Sequence, residues 1–392
     1  MKIAVVCDVL GAGNNGTSVA ANNLIEAMRK RGHSVNVICC DETRMGCEDY
    51  YVLPKRSFGP FDGYVSKMGI SLAKPVEYML RSGIEGADVV HCMLPFKLSI
   101  NAVRIAEELG IPVTAGFHCQ AENFSEHLFM KNFALLNNYV YRRYYNKVFS
   151  HAACVHYPSQ FIRDVFENAT DKTNGRVISN GVGDDFRCEP VAKPNALKGK
   201  FVILSTGRYS REKCHDVLIR AVGRSAHNSE IALIIAGQGP LEEHYRELAE
   251  REGVCDMRLG FIPRKDMPEL VNCCDLYVHP AEAELEGIAC LEAIRCGRPI
   301  VVSDSAKSAT RTFVMDERGL FRNGKANSLA DSIDYWIEHP EEREKAGRFY
   351  AESGIARRKE ECMDDMERMF ADVAGRKIVE TANERSCQLL YR

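Results

Sequence analysis

Short continuous apolar runs alternate along the chain with segments whose apolar residues recur at helical spacing. Ile3–Cys7 is such a run, Gly11-Ala12-Gly13-Asn14-Asn15-Gly16-Thr17 a glycine-rich loop, and Val19, Leu24, Ala27 and Met28 a helical stripe that ends at Gly32 before a second run, Val35–Cys39. Runs that lack period-two alternation suit strands buried on both faces, as in parallel sheets. A strand, loop, helix, strand unit of this kind opens a doubly wound α/β sheet. The pattern continues through a strand at 87–91, a helix near Ile100–Leu109, strand Val113–Phe117, a long helix near Lys131–Ala153, strand Ala153–Tyr157, helix Gln160–Asn168 and strand Arg176–Ile178.

Asp185–Lys200, rich in Pro, Lys and Ala and without apolar periodicity, interrupts the alternation. It separates a first domain, residues 1–190, from a second, 191–370. The second restarts at Phe201–Ser205 and runs through helix Val217–Ala226, strand Ile231–Ala236, helix Leu241–Glu252, strand Met257–Gly260, a short helix at Pro268–Cys273 and strands Leu276–His279 and Ile300–Ser303. From Leu329 the pattern is helical, and a tail, 371–392, is positioned to cross back to the first domain. The expected fold class is α/β, with two doubly wound parallel-sheet domains and a helical C-terminal region.

Composition changes this picture little. Of the 392 residues, 45% are apolar and 27% charged, which is ordinary for a globular protein, and a net charge of −3 gives no reason to expect nucleic acid as partner. The 16 cysteines are scattered, often within apolar runs (Cys7, Cys39, Cys40, Cys92), and read as buried thiols in a reducing compartment. They lack the short fixed spacing of a zinc site. The first apolar run is too short for a signal peptide, and no run is long enough to span a membrane. Gly11, Gly13 and Gly16 fit G-x-G-x-x-G, but no acidic residue about 20 positions on completes a dinucleotide fingerprint.

The chemistry concentrates in Pro280–Pro299. Leu276–His279 reads as a strand end, Gly287 opens a helix with Ile288, Leu291 and Ile294 on its buried side, and Gly297 and Pro299 stop it. Glu284 and Glu292 lie eight residues apart, which at 3.6 residues per turn is roughly 80° around the axis. Both carboxylates can then face one cleft. Hydroxyl-rich ligands need such acceptors, and phosphates need the N–H groups of a helix start.

With Ser205-Thr206-Gly207-Arg208 and Lys213, this segment resembles the E-x7-E and G-R-x4-K motifs of the family 4 retaining glycosyltransferases. Ile178-Ser179-Asn180-Gly181-Val182, Ala236-Gly237-Gln238-Gly239-Pro240 and Gly260-Phe261 resemble further segments of that family in the same order. The resemblance implies a GT-B fold, two Rossmann-like domains facing across a cleft. The nucleotide sugar would be held mostly by the second domain and the acceptor mostly by the first. It implies that Arg208 and Lys213 bind the donor diphosphate, Glu292 the ribose, Glu284 the transferred sugar, and the N–H groups of Gly287 and Ile288 donor oxygens. Gly13 and Gly16 would approach the diphosphate from the first domain, and His118 would lie near the sugar. It also implies transfer with retention and without a metal or other cofactor, consistent with the lack of a D-x-D pair. Many family members carry an aromatic residue where this chain has Glu286, which would add negative charge near the sugar.

Two stretches bear on the acceptor. His118–Asn123 and the aromatic, basic segment that follows are similar to those of bacterial diacylglycerol glucosyltransferases. His127–Ser150 carries Lys131, Arg142, Arg143 and Lys147 and no acid, interleaved with aromatics. Such a surface favours an anionic bilayer, each cation contributing about 1 kcal/mol; the bland alternative makes the aromatics core and the cations a solvated face. Phe58–Met68 is a candidate acceptor loop. The expected protein is a cytoplasmic enzyme peripheral to the inner face of the membrane, moving hexose from a nucleotide sugar, UDP-glucose first, to a lipid acceptor such as diacylglycerol. A soluble or polysaccharide acceptor, a nucleotide-sugar epimerase and a nucleotide-sugar binding protein stay open.

Overall fold

A computed structural model of the protein describes residues 1–11, 16–57, 59, 71–121 and 134–376. A first sheet contains β1 (Lys2–Val6), β2 (Ser34–Cys39), β3 (Tyr50–Val52), β4 (Val89–Cys92), β5 (Val113–Gly116), β6 (Cys154–Tyr157) and β7 (Gly175–Val177). Its order is β3-β2-β1-β4-β5-β6-β7, with every pair parallel. A second sheet contains β8 (Phe201–Thr206), β9 (Ile231–Ala236), β10 (Met257–Gly260), β11 (Leu276–His279), β13 (Ile300–Ser303) and β15 (Leu320–Phe321), in the parallel order β10-β9-β8-β11-β13-β15. A small parallel pair joins β12 (Ala283–Glu284) to β14 (Lys307–Ser308). In both sheets the strand order reverses beside the first strand of the domain, β1 or β8, the place where doubly wound sheets bind ligands at the strand ends.

Alternate residues of one strand feed opposite faces. Ala4 and Val6 join a cluster with Leu98, Phe117 and Phe166, whereas Ile3 and Val5 join Leu24, Met28, Met366 and Phe370. The last two residues belong to the helix Lys359–Val373, whose Cys362, Met363, Met366, Met369 and Phe370 form one apolar stripe. The chain therefore returns to the first domain within this helix, which a division at residue 370 would cut. Arg31 clamps it from helix Gly16–Lys30 by pairing with Glu360, Asp364 and Glu367. Where the chain crosses between domains, Val182 N–H donates to Arg357 O (2.9 Å) and Lys359 N–H to Val182 O (2.8 Å).

The predicted long helix near Lys131–Ala153 is Ala134–Lys147 followed by a single 3-10 turn at Phe149–His151. β3, β15 and the helix Glu77–Ile84 were not legible in the apolar pattern, being short and flanked by charged residues or by Pro75. Gly13, Lys131, nearly all of Phe58–Met68 and the tail beyond residue 376 lie outside the described residues.

Candidate functional site

At the C-terminal edge of the second sheet, β11 ends at His279 and the chain turns through β12 into the helix Ile288–Arg295. Gly287 caps this helix with φ 84°, a left-handed conformation that favours glycine, and a Cβ there would lie 2.4 Å from Thr310 Cγ2. The turn delivers Glu284 to a buried cluster. Its Oε2 accepts from Lys213 Nζ at 2.6 Å and from His279 Nε2 at 3.1 Å. Burial alone would raise the Glu284 carboxyl, but the Lys213 ammonium and His279 outweigh it and hold the group well below the ordinary carboxylate range. Burial likewise works against the charge on Lys213, and Glu284 more than offsets it, so the lysine titrates above its ordinary value. His279 is lowered by burial despite its carboxylate partner and stands neutral at pH 7.

Lys213 arrives on the turn after β8. Gly237 and Gly239 lie so close to that turn that a Cβ would meet Gly207 O at 1.9 Å and Tyr209 O at 2.6 Å. The two loops are also joined by Gly207 N–H to Ala236 O (3.0 Å) and Tyr209 N–H to Gln238 O (3.0 Å). This packing explains the Gly-x-Gly at 237–239. Arg208 leaves the same turn and donates from Nη2 to Glu212 Oε1 at 3.2 Å.

Glu292, buried within its helix, accepts from Arg264 Nη1 at 2.5 Å, while the same guanidinium packs over the Phe186 ring at 4.5 Å. Burial raises the Glu292 carboxyl against the pull of Arg264. The two motif glutamates thus have separate cations, Lys213 for Glu284 and Arg264 for Glu292. Neither Arg264 nor His279 was legible as a partner, although Gly260-Phe261, just before Arg264, is one of the motif segments.

Glu286 is engaged by the first domain: its buried carboxylate accepts from Ser179 Oγ (2.5 Å), Asn180 N–H (3.0 Å) and Asn180 Nδ2 (2.5 Å). These residues follow β7 in the first domain. Burial still pushes the Glu286 carboxyl up to about 7.

From the first domain, His118 follows β5, packs edge-on to His156 at 5.5 Å between ring centroids, and keeps its buried Nε2 without a hydrogen-bond partner. Burial, with His156 and His91 nearby, keeps it neutral. Its carbonyl accepts from Thr17 Oγ1 at 3.3 Å, which brings the start of helix Gly16–Lys30 beside it. A Cβ on Gly16 would meet nothing within 4 Å, so the fold itself does not require glycine there.

Arg142, Arg143 and Lys147 are exposed on the helix Ala134–Lys147, but Tyr141, Tyr144 and Phe149 beside them are core. Leu135 (72% exposed) and Tyr139 (62%) do lie outward, at helical spacing from Arg142 and Arg143. Arg143 and Lys147 also border a cavity of about 560 Å³ whose other walls include Phe96, Ile100 and Val140, with Asp8 lining it just past the end of β1. Asp8 is 2% exposed. One of its carboxylate oxygens accepts from Ala73 N–H at 2.9 Å, and the other has no hydrogen-bond partner. Burial pushes this carboxyl up to about 7.

The family described as "Glycosyltransferase Family 4" matches residues 14–186, and "Glycosyl transferases group 1" matches residues 189–352. Between them the two matches span both sheets except β1. The chain belongs to the family 4 glycosyltransferases. Among curated relatives, this glycosyltransferase is 25% identical to the α-monoglucosyldiacylglycerol synthase of Streptococcus pneumoniae over 321 residues, 77% of this chain and 70% of the relative. It is 24% identical to the sulfoquinovosyl transferase SQD2 of Arabidopsis thaliana, over 83% of this chain and 64% of that one. Anabaena Alr3699/HepE, solved with UDP and glucose, matches with a TM-score of 0.73 at 19% identity over 95% of this chain and all of its own, and WaaG with 0.67 at 15% over 94% and 99%. These likenesses identify the fold of the transferase as GT-B. Among the described residues, no helix is long and apolar enough to cross a membrane.

Proposed function

We propose that this glycosyltransferase moves glucose from UDP-glucose to a hydroxyl of a membrane lipid such as diacylglycerol, with retention and without a metal ion. The carrying observation is the buried Lys213–Glu284–His279 cluster beside the helix start at Gly287. A desolvated ammonium that stays charged is suited to a leaving diphosphate, because electrostatic stabilisation is strongest where water is excluded. Lys213 and Arg208 neutralise the diphosphate as the bond from the anomeric carbon to the phosphate oxygen breaks. Glu284, kept ionised by the same lysine, accepts from hydroxyls of the sugar, and Glu292 from those of the ribose with Arg264 as counterion. His118, which follows β5 beside the start of helix Gly16–Lys30, is the first-domain residue assigned to the sugar. The acceptor oxygen bonds to the anomeric carbon on the face the phosphate leaves, and its proton passes to the departing phosphate oxygen.

For the acceptor, the reading rests on the cavity beside Asp8. Phe96, Ile100 and Val140 line it together with four cations, Arg56, Lys97, Arg143 and Lys147, and the carboxylate of Asp8, one oxygen of which has no hydrogen-bond partner, suits an acceptor hydroxyl. Its volume lies in the range of small-molecule sites, which combine apolar walls with a few placed polar groups. The stripe Leu135, Tyr139, Arg142 and Arg143 beside it suits the inner face of an anionic membrane. The pneumococcal relative, named for a glucosyldiacylglycerol product, agrees with this choice.

The test has two arms. UDP should raise the melting temperature more than GDP or ADP, since a ligand that binds only the folded state stabilises it, and Lys213→Ala should abolish the shift. The protein should also co-sediment with phosphatidylglycerol vesicles, and Arg142→Glu with Arg143→Glu should release it. A GDP or ADP preference would overturn the donor, and vesicle binding unchanged in the double variant would overturn the membrane contact.

A further inference from the structure

The segment 284–287 has two sides. Glu284 faces Lys213 and His279, and Gly287 starts the helix, so this side belongs to the donor site. The other side belongs to the first domain. Leu285 packs against the first domain's apolar cluster, and its carbonyl accepts from Ser159 Oγ at 2.6 Å. Glu286 then receives the three hydrogen bonds from Ser179 and Asn180. The Ser179–Asn180 turn that donates them is itself fixed. Gly181 N–H donates to Ser179 Oγ at 3.0 Å, and Gly181, at φ 73°, sits so close to the returning chain that a Cβ would lie 2.5 Å from Lys359 Cα. The next residue, Val182, pairs with the backbone of 357 and 359 where the two connecting segments cross. The carboxylate of Glu286 therefore ties a donor-site loop directly to the place about which the domains join.

We propose that Glu286 is a positioning residue that fastens the donor loop to the interdomain crossing, so that Glu284 and the Gly287–Ile288 helix start are held in register with the first domain. Its effect falls on the assembly of the complete site across the two domains. Binding of the nucleoside diphosphate, which needs Lys213 and Arg208, does not depend on it. A carboxylate is suited to this place because it accepts all three hydrogen bonds at once, and an aromatic side chain accepts none of them. The consequence for turnover rests on the donor-site reading given above; the fastening itself does not.

The experiment uses the full-length protein and two readouts. In hydrogen exchange, Glu286→Ala should speed exchange at the Asn180 amide at least tenfold while the helix Ile288–Arg295 keeps its wild-type protection. This readout needs no substrate and decides the fastening even if the donor has been assigned wrongly. In turnover with UDP-glucose, Glu286→Ala and Asn180→Asp should each lower kcat at least fivefold with the UDP-induced melting shift kept. The second variant sets two carboxylates against each other. Combining Asn180→Asp with Glu286→Gln reverses donor and acceptor across the contact and should recover at least half of the lost kcat. A general loss of folding would lower the melting temperature of every variant and leave the combined one no better. Unchanged Asn180 exchange in Glu286→Ala, wild-type kcat in both single variants, or a combined variant no better than Asn180→Asp alone would overturn the proposal.

Discussion

At the scale of the residue, burial and charge oppose each other in the proposed donor site. Glu284 is buried, which disfavours its ionised form, yet Lys213 and His279 hold it ionised. Because its folded-state pKa is below the ordinary value of 4.5, its contribution to stability is present above about that pH and is lost as the pH falls further. Glu284→Gln should therefore be less stable than the wild type at pH 7 by urea unfolding, with the difference shrinking below pH 4. A constant difference across that range would mean the carboxylate is not paired in the folded protein. Lys213→Ala and Glu292→Ala should each lower turnover at least tenfold with UDP-glucose at saturation. Arg208, Lys213, Glu284 and Glu292 were legible because the chain carries them in fixed local motifs. Arg264, His279 and the Ser179–Asn180 partners of Glu286 were not, since each pairing depends on how distant segments meet. Glu286 stands out in the sequence only as a departure from the family pattern, and its partners Ser179 and Asn180 appear only in the fold.

At the scale of the element, the turn into helix Ile288–Arg295 sets what the site presents. Gly287 must take a left-handed φ and leave room for Thr310, two demands that no other residue meets. Gly287→Ala should cost about 1–3 kcal/mol of stability from the backbone alone, with the methyl contact to Thr310 adding to it, and should weaken the UDP-induced melting shift. A wild-type melting temperature would show that the turn relaxes easily. The apolar pattern gave the long, doubly buried strands correctly, because continuous runs such as Ile231–Ala236 have few other uses. It missed β3, β15 and the helix Glu77–Ile84, whose few residues are positioned by neighbours more than by their own periodicity. The helix Ala134–Lys147 was read as interleaved basic and aromatic, and the fold divides it. Tyr141 and Tyr144 turn inward, leaving Leu135, Tyr139 and the arginines outside.

At the scale of the whole molecule, the helix Lys359–Val373 makes the first domain depend on the chain's far end. Phe370 is fully buried and meets the His91 ring edge-on at 5.2 Å. Phe370→Ala should cost about 3–5 kcal/mol and should loosen hydrogen exchange in the first sheet before the second. Equal loosening of both would argue that the domains unfold as one. Across the two domains Gln120 Nε2 donates to Lys307 O at 3.2 Å, Ser159 Oγ to Leu285 O, and Ser179 and Asn180 to the Glu286 carboxylate. The Lys213–Glu284–His279 cluster and the cavity beside Asp8 thus belong to different domains, and the proposed transfer requires both. The most direct measurement incubates the protein with UDP-glucose and diacylglycerol in phosphatidylglycerol vesicles containing EDTA and reads the lipid product by proton NMR. A glucosyl lipid with the α-anomeric configuration of the donor should form, at least tenfold more slowly with Lys213→Ala, if the proposed function holds. A β-linked product, an epimerised sugar nucleotide, or turnover that disappears in EDTA and returns with a divalent cation would contradict it.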